Sequence, residues 1–216
     1  MNPPSLTIRQ KDKLTLFVTG IGTGVGKTVC SAVLTAYFRA DYWKPIQSGD
    51  LDESDSMKIR QWTAGNPFCH PETYRFRLAA SPHQSAKEEK TIIDLERFII
   101  PQTDHHLIIE GAGGLMVPLN EDTFMIDLIE KLDIPVALVV RNYLGCINHT
   151  LLSVMALKQK NLQLSYLILN GSFPPDTERI ICNAAAADTH IIRIPEIENI
   201  TKENIECITH RLTLIQ

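Results

Sequence analysis

The sequence predicts an α/β fold, a mostly parallel β-sheet with helices on both faces, and three observations lead there. An apolar run over residues 14–19 breaks into a glycine-rich loop and continues as a segment of helical character. A second run, residues 135–140, is apolar throughout, as expected of a central parallel strand covered on both faces. Strand-like and helix-like segments alternate along the chain to the C-terminus, the order that builds parallel sheets.

The loop after the first strand carries Gly20, Gly22, Gly24 and Gly26 at alternating positions and then Lys27-Thr28. A polyphosphate needs several backbone N–H donors close together, and glycine lets the main chain approach without a Cβ clash. The positive end of the following helix points at the same anion. Lys27 would reach the outer phosphates and the Thr28 hydroxyl would ligate Mg²⁺. The common phosphate-loop spacing puts its first glycine where this chain has Ile21, so the loop is one residue longer than the usual form. The plainer alternative is a glycine-rich β-to-α turn followed by a chance Lys-Thr pair. A dinucleotide-binding turn is disfavoured because the next strand closes on Lys44 rather than on an acid.

At 216 residues the chain suits one domain, with residues 1–13 expected as a flexible arm and residues 14–216 as a single phosphate-loop α/β domain. With 44% hydrophobic and 21% charged residues, the composition is that of an ordinary globular chain. A formal net charge of −4 and scattered basic residues give no reason to expect nucleic acid. No apolar run approaches the length that spans a bilayer. Five well-separated cysteines without a C-x-x-C pair point to reduced thiols and a cytoplasmic protein.

After the loop, residues 29–39 carry apolar side chains at helical spacing, and Tyr42-Trp43 begin a short strand closed by Pro45. Lys44 and Ser48 follow that strand. They either face the ligand crevice beyond the carboxyl ends of the strands, with Lys27 and Lys44 both open to solvent there, or belong to a surface turn. Residues 50–55 form an acidic loop leading into a helix to Trp62. Asp52 and Ser54 suit helix caps, and Asp55 could instead offer a carboxylate to Mg²⁺. Residues 65–77 are rich in turn formers. A helix is expected from Gln84 after the turn at Pro82, and a short amphipathic one over residues 94–100 capped by Asp94.

Residues 107–110 are an apolar strand ending abruptly in Glu110, followed by Gly111-Ala112-Gly113-Gly114, the form of a Walker B segment whose acid reaches a metal directly or through water. Helices are expected over residues 124–131, from the turn at residues 144–149 to about Gln159, from Asp176 or Thr177 through Ala187, and over residues 199–214. Strands are expected at residues 164–169 and 191–194. His105-His106 reads as a solvated approach to a strand, and Trp43 and Trp62 as core. Cys146 has no neighbouring base to make it a nucleophile.

Together these motifs are more specific than any of them alone. Phe17-Val18-Thr19-Gly20, Thr23, Val25-Gly26-Lys27-Thr28, Lys44-Pro45, Ser48-Gly49, Ser54-Asp55, Ser81-Pro82-His83, the Glu110 to Gly114 run, Pro118-Leu119 and Gly145-Cys146-Ile147-Asn148-His149 stand in the order found in dethiobiotin synthetases. The chain resembles that family from about Leu14 to Pro195, and the family shares the longer loop.

The resemblance implies a P-loop NTPase-like homodimer that uses ATP, with Mg²⁺, and CO2 to close a cyclic urea on 7,8-diaminononanoate. It implies that Lys27 and Lys44 stabilise the reacting phosphoryl and carbamate groups and that Thr23 and Ser48 hold the carbamate or amine end. It implies Thr28, Asp55 and Glu110 as Mg²⁺ ligands. Gly24, Val25, Gly26 and Val29 would frame the nucleotide, Asn170 would read the adenine, and Pro195 and Glu196 would line its pocket. Gly145, Cys146 and Asn148 would bind the substrate carboxylate across the dimer interface. Two positions depart from the family: Gly24 stands where some members carry an acid, and Arg193 where glycine is usual. The rival readings are a partitioning-type ATPase, which would carry a further lysine where this chain has Gly22, and a cobyrinate-type amidoligase, which would need a glutaminase domain.

Overall fold

The computed structural model describes residues 13–212. Most of the expected N-terminal arm therefore lies outside the described residues. The chain runs β1 (Thr15–Gly20), α1 (Lys27–Phe38), β2 (Asp41–Trp43), β3 (Ile46–Ser48), α2 (Asp55–Trp62), β4 (Cys69–His70), β5 (Tyr74–Phe76) and α3 (Pro82–Glu88). It continues with β6 (Leu107–Gly114), α4 (Met125–Leu132), β7 (Val136–Arg141), α5 (Cys146–Gln159), β8 (Leu164–Asn170), α6 (Pro175–Ala184), β9 (His190–Ile194) and α7 (Lys202–Arg211).

Seven strands form one sheet in the order β4-β2-β6-β1-β7-β8-β9, and each of its pairings is parallel. The remaining two, β3 and β5, form a small parallel ribbon of their own. Because the strands are parallel, their carboxyl ends share one edge, so β2, β6, β1, β7, β8 and β9 deliver Lys44, Glu110, the glycine loop, Arg141, Asn170 and Pro195 to that edge in spatial order. Positions far apart in sequence thus meet along one edge.

The strands are apolar on both faces because both are covered. Along β1, Leu16 and Val18 join the core beneath α1, α2, α6 and α7, while Phe17 points into the opposite core with α3 and α4. Helix α5 serves both layers, with Val154 in the first and Leu157 in the second. Strand β7 is buried from Val136 to Val140, as its unbroken apolar run implies.

Several expected boundaries shift, each for a local reason. Helix α1 opens at Lys27, two residues early, because Gly26 takes a left-handed conformation and serves as its N-cap. The helix expected over residues 94–100 is only a 3-10 turn at Leu95–Arg97, capped by Asp94, which accepts from the Glu96 amide. At that length the side chains find burial without a full α-turn, through Phe98 and Ile93. Ser54, not Asp52, caps α2, accepting from the Met57 amide at 3.4 Å. Helix α6 opens with Pro175 at its first position, ahead of Asp176 and Thr177, and closes at Ala184, short of Ala187. Helix α7 starts later than expected, capped by Thr201, and ends at Arg211. The turn-rich stretch after Gly65 contains the two short strands β4 and β5.

His105 is exposed on the approach to β6, as expected, and both histidines of the pair also make specific contacts. His105 Nδ1 lies 3.1 Å from Asp41 Oδ1, and His106 Nδ1 accepts from the Leu14 amide at 2.8 Å.

Leu138, fully buried in β7, offers a direct check on this layering. Leu138→Ala is expected to lower unfolding free energy by about 2–5 kcal/mol through lost burial and a residual cavity, read by urea denaturation.

Candidate active site

A cleft of about 640 Å³ opens beyond the carboxyl ends of β1, β2 and β6, and Thr23, Gly24, Gly26, Lys27, Thr28, Val29, Lys44, Ser48, Asp55 and Glu110 all line it. The local sequence explains the arrangement. Strand β1 ends at Gly20, and Gly24 and Gly26 adopt φ of 74° and 84°, letting the loop turn back over the N-terminus of α1. At Gly26 a Cβ atom would stand 2.2 Å from Asn170 Nδ2, so glycine is required by space as well as by backbone conformation. No such contact exists at Gly24, which faces open space. Its left-handed φ still disfavours any residue with a Cβ there.

The centre of the cleft is an ionic net. Lys44 Nζ lies 2.7 Å from Asp55 Oδ2 and 3.2 Å from Glu110 Oε1, and it donates to the Gly111 carbonyl at 3.0 Å. All three ammonium donors are thereby used. Thr28 Oγ1 is 2.9 Å from Glu110 Oε1 and 3.1 Å from Asp55 Oδ1. Asp55 is set by Gln47, whose Oε1 accepts from the Asp55 amide at 3.2 Å while its Nε2 donates to the Gly49 carbonyl. On the far side of Glu110, the buried Tyr42 hydroxyl donates to Oε2 at 2.9 Å.

Both lysines are buried, at 8% and 4% exposure for Lys27 and Lys44, so the expectation that they face solvent is corrected. Lys44 sits beneath the carboxylates that neutralise it, and Lys27 arches over the loop to donate to the Gly22 carbonyl at 3.2 Å. Their pKa values accordingly shift in opposite directions. Burial, with repulsion from Lys44, pulls the Lys27 pKa down to about 8 despite the pull of Glu110 and Asp55. Burial also opposes the Lys44 charge, but Glu110 and Asp55 outweigh it and raise its pKa above the ordinary value. For Asp55, burial is outweighed by Lys44 and by the Thr28 hydrogen bond, and its carboxyl is held below the usual range. Burial, reinforced by the charge of Glu110, pushes the Tyr42 phenol well up.

Thr28, Asp55 and Glu110 offer a hydroxyl and two carboxylates at one point. Such hard oxygen donors fit Mg²⁺, which accepts one or two protein carboxylates and fills its remaining positions with water and phosphate. The Ser48 hydroxyl is buried and has no protein partner within the cleft, leaving its hydrogen-bonding capacity for a ligand.

Other expected site residues lie elsewhere along the same edge. Asn170 is buried against the loop, donating from Nδ2 to the Val25 carbonyl at 2.9 Å. Glu196 pairs with Arg141 and lies against Gly171, and Pro195 is exposed beside it. None of these four side chains lines the main cleft, and of them Asn170 is the one seen against the loop, at Val25 and Gly26. Gly145, Cys146 and Asn148 form the start of α5, where Gly145 is the N-cap and Cys146 is buried. Beside them a groove of about 280 Å³ runs between Gly22-Thr23, residues 114–117 and the α5 side chains His149 and Leu152. Thr23 lines both the groove and the cleft. Arg193 does not enter the cleft and pairs with Glu178 at 2.6 Å.

Comparison with known proteins gives the family and the fold. A family model described as an AAA domain matches residues 14–204. An ATP-dependent dethiobiotin synthetase of Cytophaga hutchinsonii is 43% identical over 91% of this chain and 95% of its own length. The chain belongs to the dethiobiotin synthetase family. The corresponding protein of Afipia carboxidovorans is 40% identical over 87% of this chain and 90% of its own. Among solved structures, a ParA family ATPase from Chlorobium tepidum superposes with a TM-score of 0.56 at 14% identity, covering 92% of this chain and 99% of that one. A MinC:MinD complex chain from Aquifex aeolicus gives 0.54 at 14% identity, over 92% and 95%. These structural likenesses show a shared P-loop NTPase-like fold.

Sequence reasoning missed Tyr42, Gln47 and Arg141. Tyr42 had a readable signal, since it stands two residues before Lys44 on an extended segment and so shares its face. Gln47 and Arg141 had none: Gln47 holds the amide of Asp55 at the start of α2, across a loop without a readable pattern, and the partner of Arg141, Glu196, follows a different strand.

The depressed Lys27 pKa carries a stability consequence. The folded chain releases this proton near pH 8, whereas an unfolded lysine keeps it to its ordinary 10.5, so the unfolded state binds more protons in that window. The penalty of burying the charge is therefore full below pH 8 and fades as pH rises. Lys27→Met is expected to be more stable than the wild type at pH 7 without nucleotide, with the advantage shrinking toward pH 10, measured by urea denaturation across pH.

Proposed function

We propose that this chain is an ATP-dependent dethiobiotin synthetase that carboxylates 7,8-diaminononanoate with CO2 and closes its cyclic urea, a ligase reaction forming C–N bonds. The observation that supports it most directly is Lys44, a second buried lysine joined to Asp55 and Glu110 opposite the phosphate-loop lysine. A partitioning ATPase would place its extra lysine where this chain has Gly22. An amidoligase of the cobyrinate type would need a second catalytic domain.

One amine of the diamine attacks CO2 and loses a proton, giving a carbamate. A carbamate oxygen then attacks the γ-phosphorus of ATP, ADP leaves, and a carbamic-phosphoric anhydride results. The second amine attacks its carbonyl carbon, phosphate leaves and the ring is closed. Lys27 and Lys44, both largely removed from solvent, balance the negative charge of the carbamate and the transferring phosphoryl group, because fixed charges act most strongly where water is excluded. Thr23 and Ser48 hold the carbamate or amine end, the Ser48 hydroxyl having no competing protein partner. The loop amides of Gly24 to Val29 and the start of α1 cradle the phosphates. Thr28, Asp55 and Glu110 would hold Mg²⁺, which supplies charge neutralisation between the phosphates. Asn170, Pro195 and Glu196 border the adenine.

The substrate carboxylate is assigned to Gly145, Cys146 and Asn148 at the start of α5. The same reading includes a homodimer. Its support is the exposed apolar set Leu144, Leu152, Met155 and Met116 around the α5 groove, which a monomer leaves facing water. No helix among the described residues is long and apolar enough to cross a membrane, and all five cysteines are unpaired, which suits a cytoplasmic enzyme.

The direct test supplies the diamine, bicarbonate, Mg²⁺ and ATP and looks for dethiobiotin. ATP turnover that does not depend on the diamine would sink the reading. Lys44→Ala is expected to lower kcat by about 10³-fold or more. Because Asp55 and Glu110 then lose their buried counter-ion, it should also destabilise the apo-protein by about 3–5 kcal/mol. Leu152→Asp is expected to yield a monomer by light scattering with a raised KM for the diamine. An unchanged dimer would remove α5 from the interface.

A further inference from the structure

Glu110 is almost wholly buried, at 1% exposure, and its two carboxylate oxygens have different surroundings. Oε1 faces the cleft, 3.2 Å from Lys44 Nζ and 2.9 Å from Thr28 Oγ1. Oε2 faces inward and takes the Tyr42 hydroxyl at 2.9 Å. We propose that Tyr42 is a positioning residue, holding Oε2 inward so that Glu110 presents Oε1 to the cleft.

The terminal torsion of a glutamate is broad, so without an anchor the carboxylate would exchange its two oxygens or tilt. Tyr42 itself has no such freedom. It is fully buried on β2 within the core layer that also contains Leu16 and Ile108, and β2 pairs with β6 at Tyr42–Ile108, two residues from Glu110. The phenol therefore offers its donor from a fixed point in the sheet. Removing it would leave Oε2 without a donor in a site that water hardly reaches, and the carboxylate would turn toward the cleft to find one.

This inference rests on the reading of Glu110 as a ligand for a divalent cation beside ATP. Partners that orient metal ligands typically change metal affinity 10–100-fold when lost. The experiment measures Mn²⁺ binding in the presence of adenylyl-imidodiphosphate by electron paramagnetic resonance of free Mn²⁺. Tyr42→Phe is expected to weaken Mn²⁺ binding at least about 10-fold. In a Glu110→Gln background the same change should cost nothing further, because Tyr42 acts through Glu110. Losses that simply add, or an unchanged affinity in Tyr42→Phe, would overturn the proposal.

Packing is separated from hydrogen bonding by two residues incorporated at position 42. 4-Methylphenylalanine fills the hydroxyl's volume and should remain weak, whereas 4-aminophenylalanine restores a donor and should recover affinity. Equal behaviour of the two would show a packing role and refute the assignment. Wild-type protein that binds Mn²⁺ with the nucleotide analogue yet forms no dethiobiotin would defeat the proposed reaction while leaving the role of Tyr42 standing.

Discussion

Three charged side chains, Lys44, Asp55 and Glu110, share one buried point, and the rest of the site is arranged around keeping them together. Removing charges from water costs several kcal/mol per ion, recovered only when geometry and hydrogen bonds are nearly complete. Here they are. Lys44 spends all its donors, Thr28 and Tyr42 reach Glu110 from opposite sides, and Gln47 fixes the start of α2 that carries Asp55. Replacement by apolar side chains would be the easier way to fill such a space. Under the proposed function, a charged net is kept there for chemistry that must meet phosphate and carbamate charge.

The parallel sheet is what makes that net possible. Adjacent strands β2, β6 and β1 end at the same edge, so the lysine, the acid and the phosphate loop arrive within a few ångströms of each other. The neighbouring ends of β7, β8 and β9 extend the same edge to Arg141, Asn170 and Pro195. One edge thus holds a phosphate end and an outer end, with Asn170 tying them through the Val25 carbonyl. The α5 groove adds a third zone, joined to the first by Thr23.

The two lysines illustrate how similar residues acquire different states. Among the described residues no carboxylate lies within salt-bridge distance of Lys27, which hangs over a loop carbonyl, so desolvation dominates and its pKa falls. Lys44, more deeply buried, is held charged by direct contact with two acids. A phosphate group placed in the loop would supply Lys27 with the counter-charge it lacks.

The sequence by itself determined the elements that repeat a local rule. The unbroken apolar run of β7, the glycine spacing before Lys27 and the acid closing the apolar part of a buried strand each follow from short-range chemistry and are legible in a few consecutive residues, although that strand, β6, runs past Glu110 to Gly114 instead of ending at the acid. The weakly patterned pieces were not legible: two- and three-residue strands such as β4 and β5 are stabilised by their neighbours rather than by their own periodicity. Tertiary structure alone decided the burial of Lys27 and Lys44, the pairing of Tyr42 with Glu110, and the capture of Asp55 by Gln47. The first two depend on which strand ends lie side by side, and strand order is set by the packing of two whole helical layers; the third is made across the loop between β3 and the start of α2, where the chain has to fold back on itself.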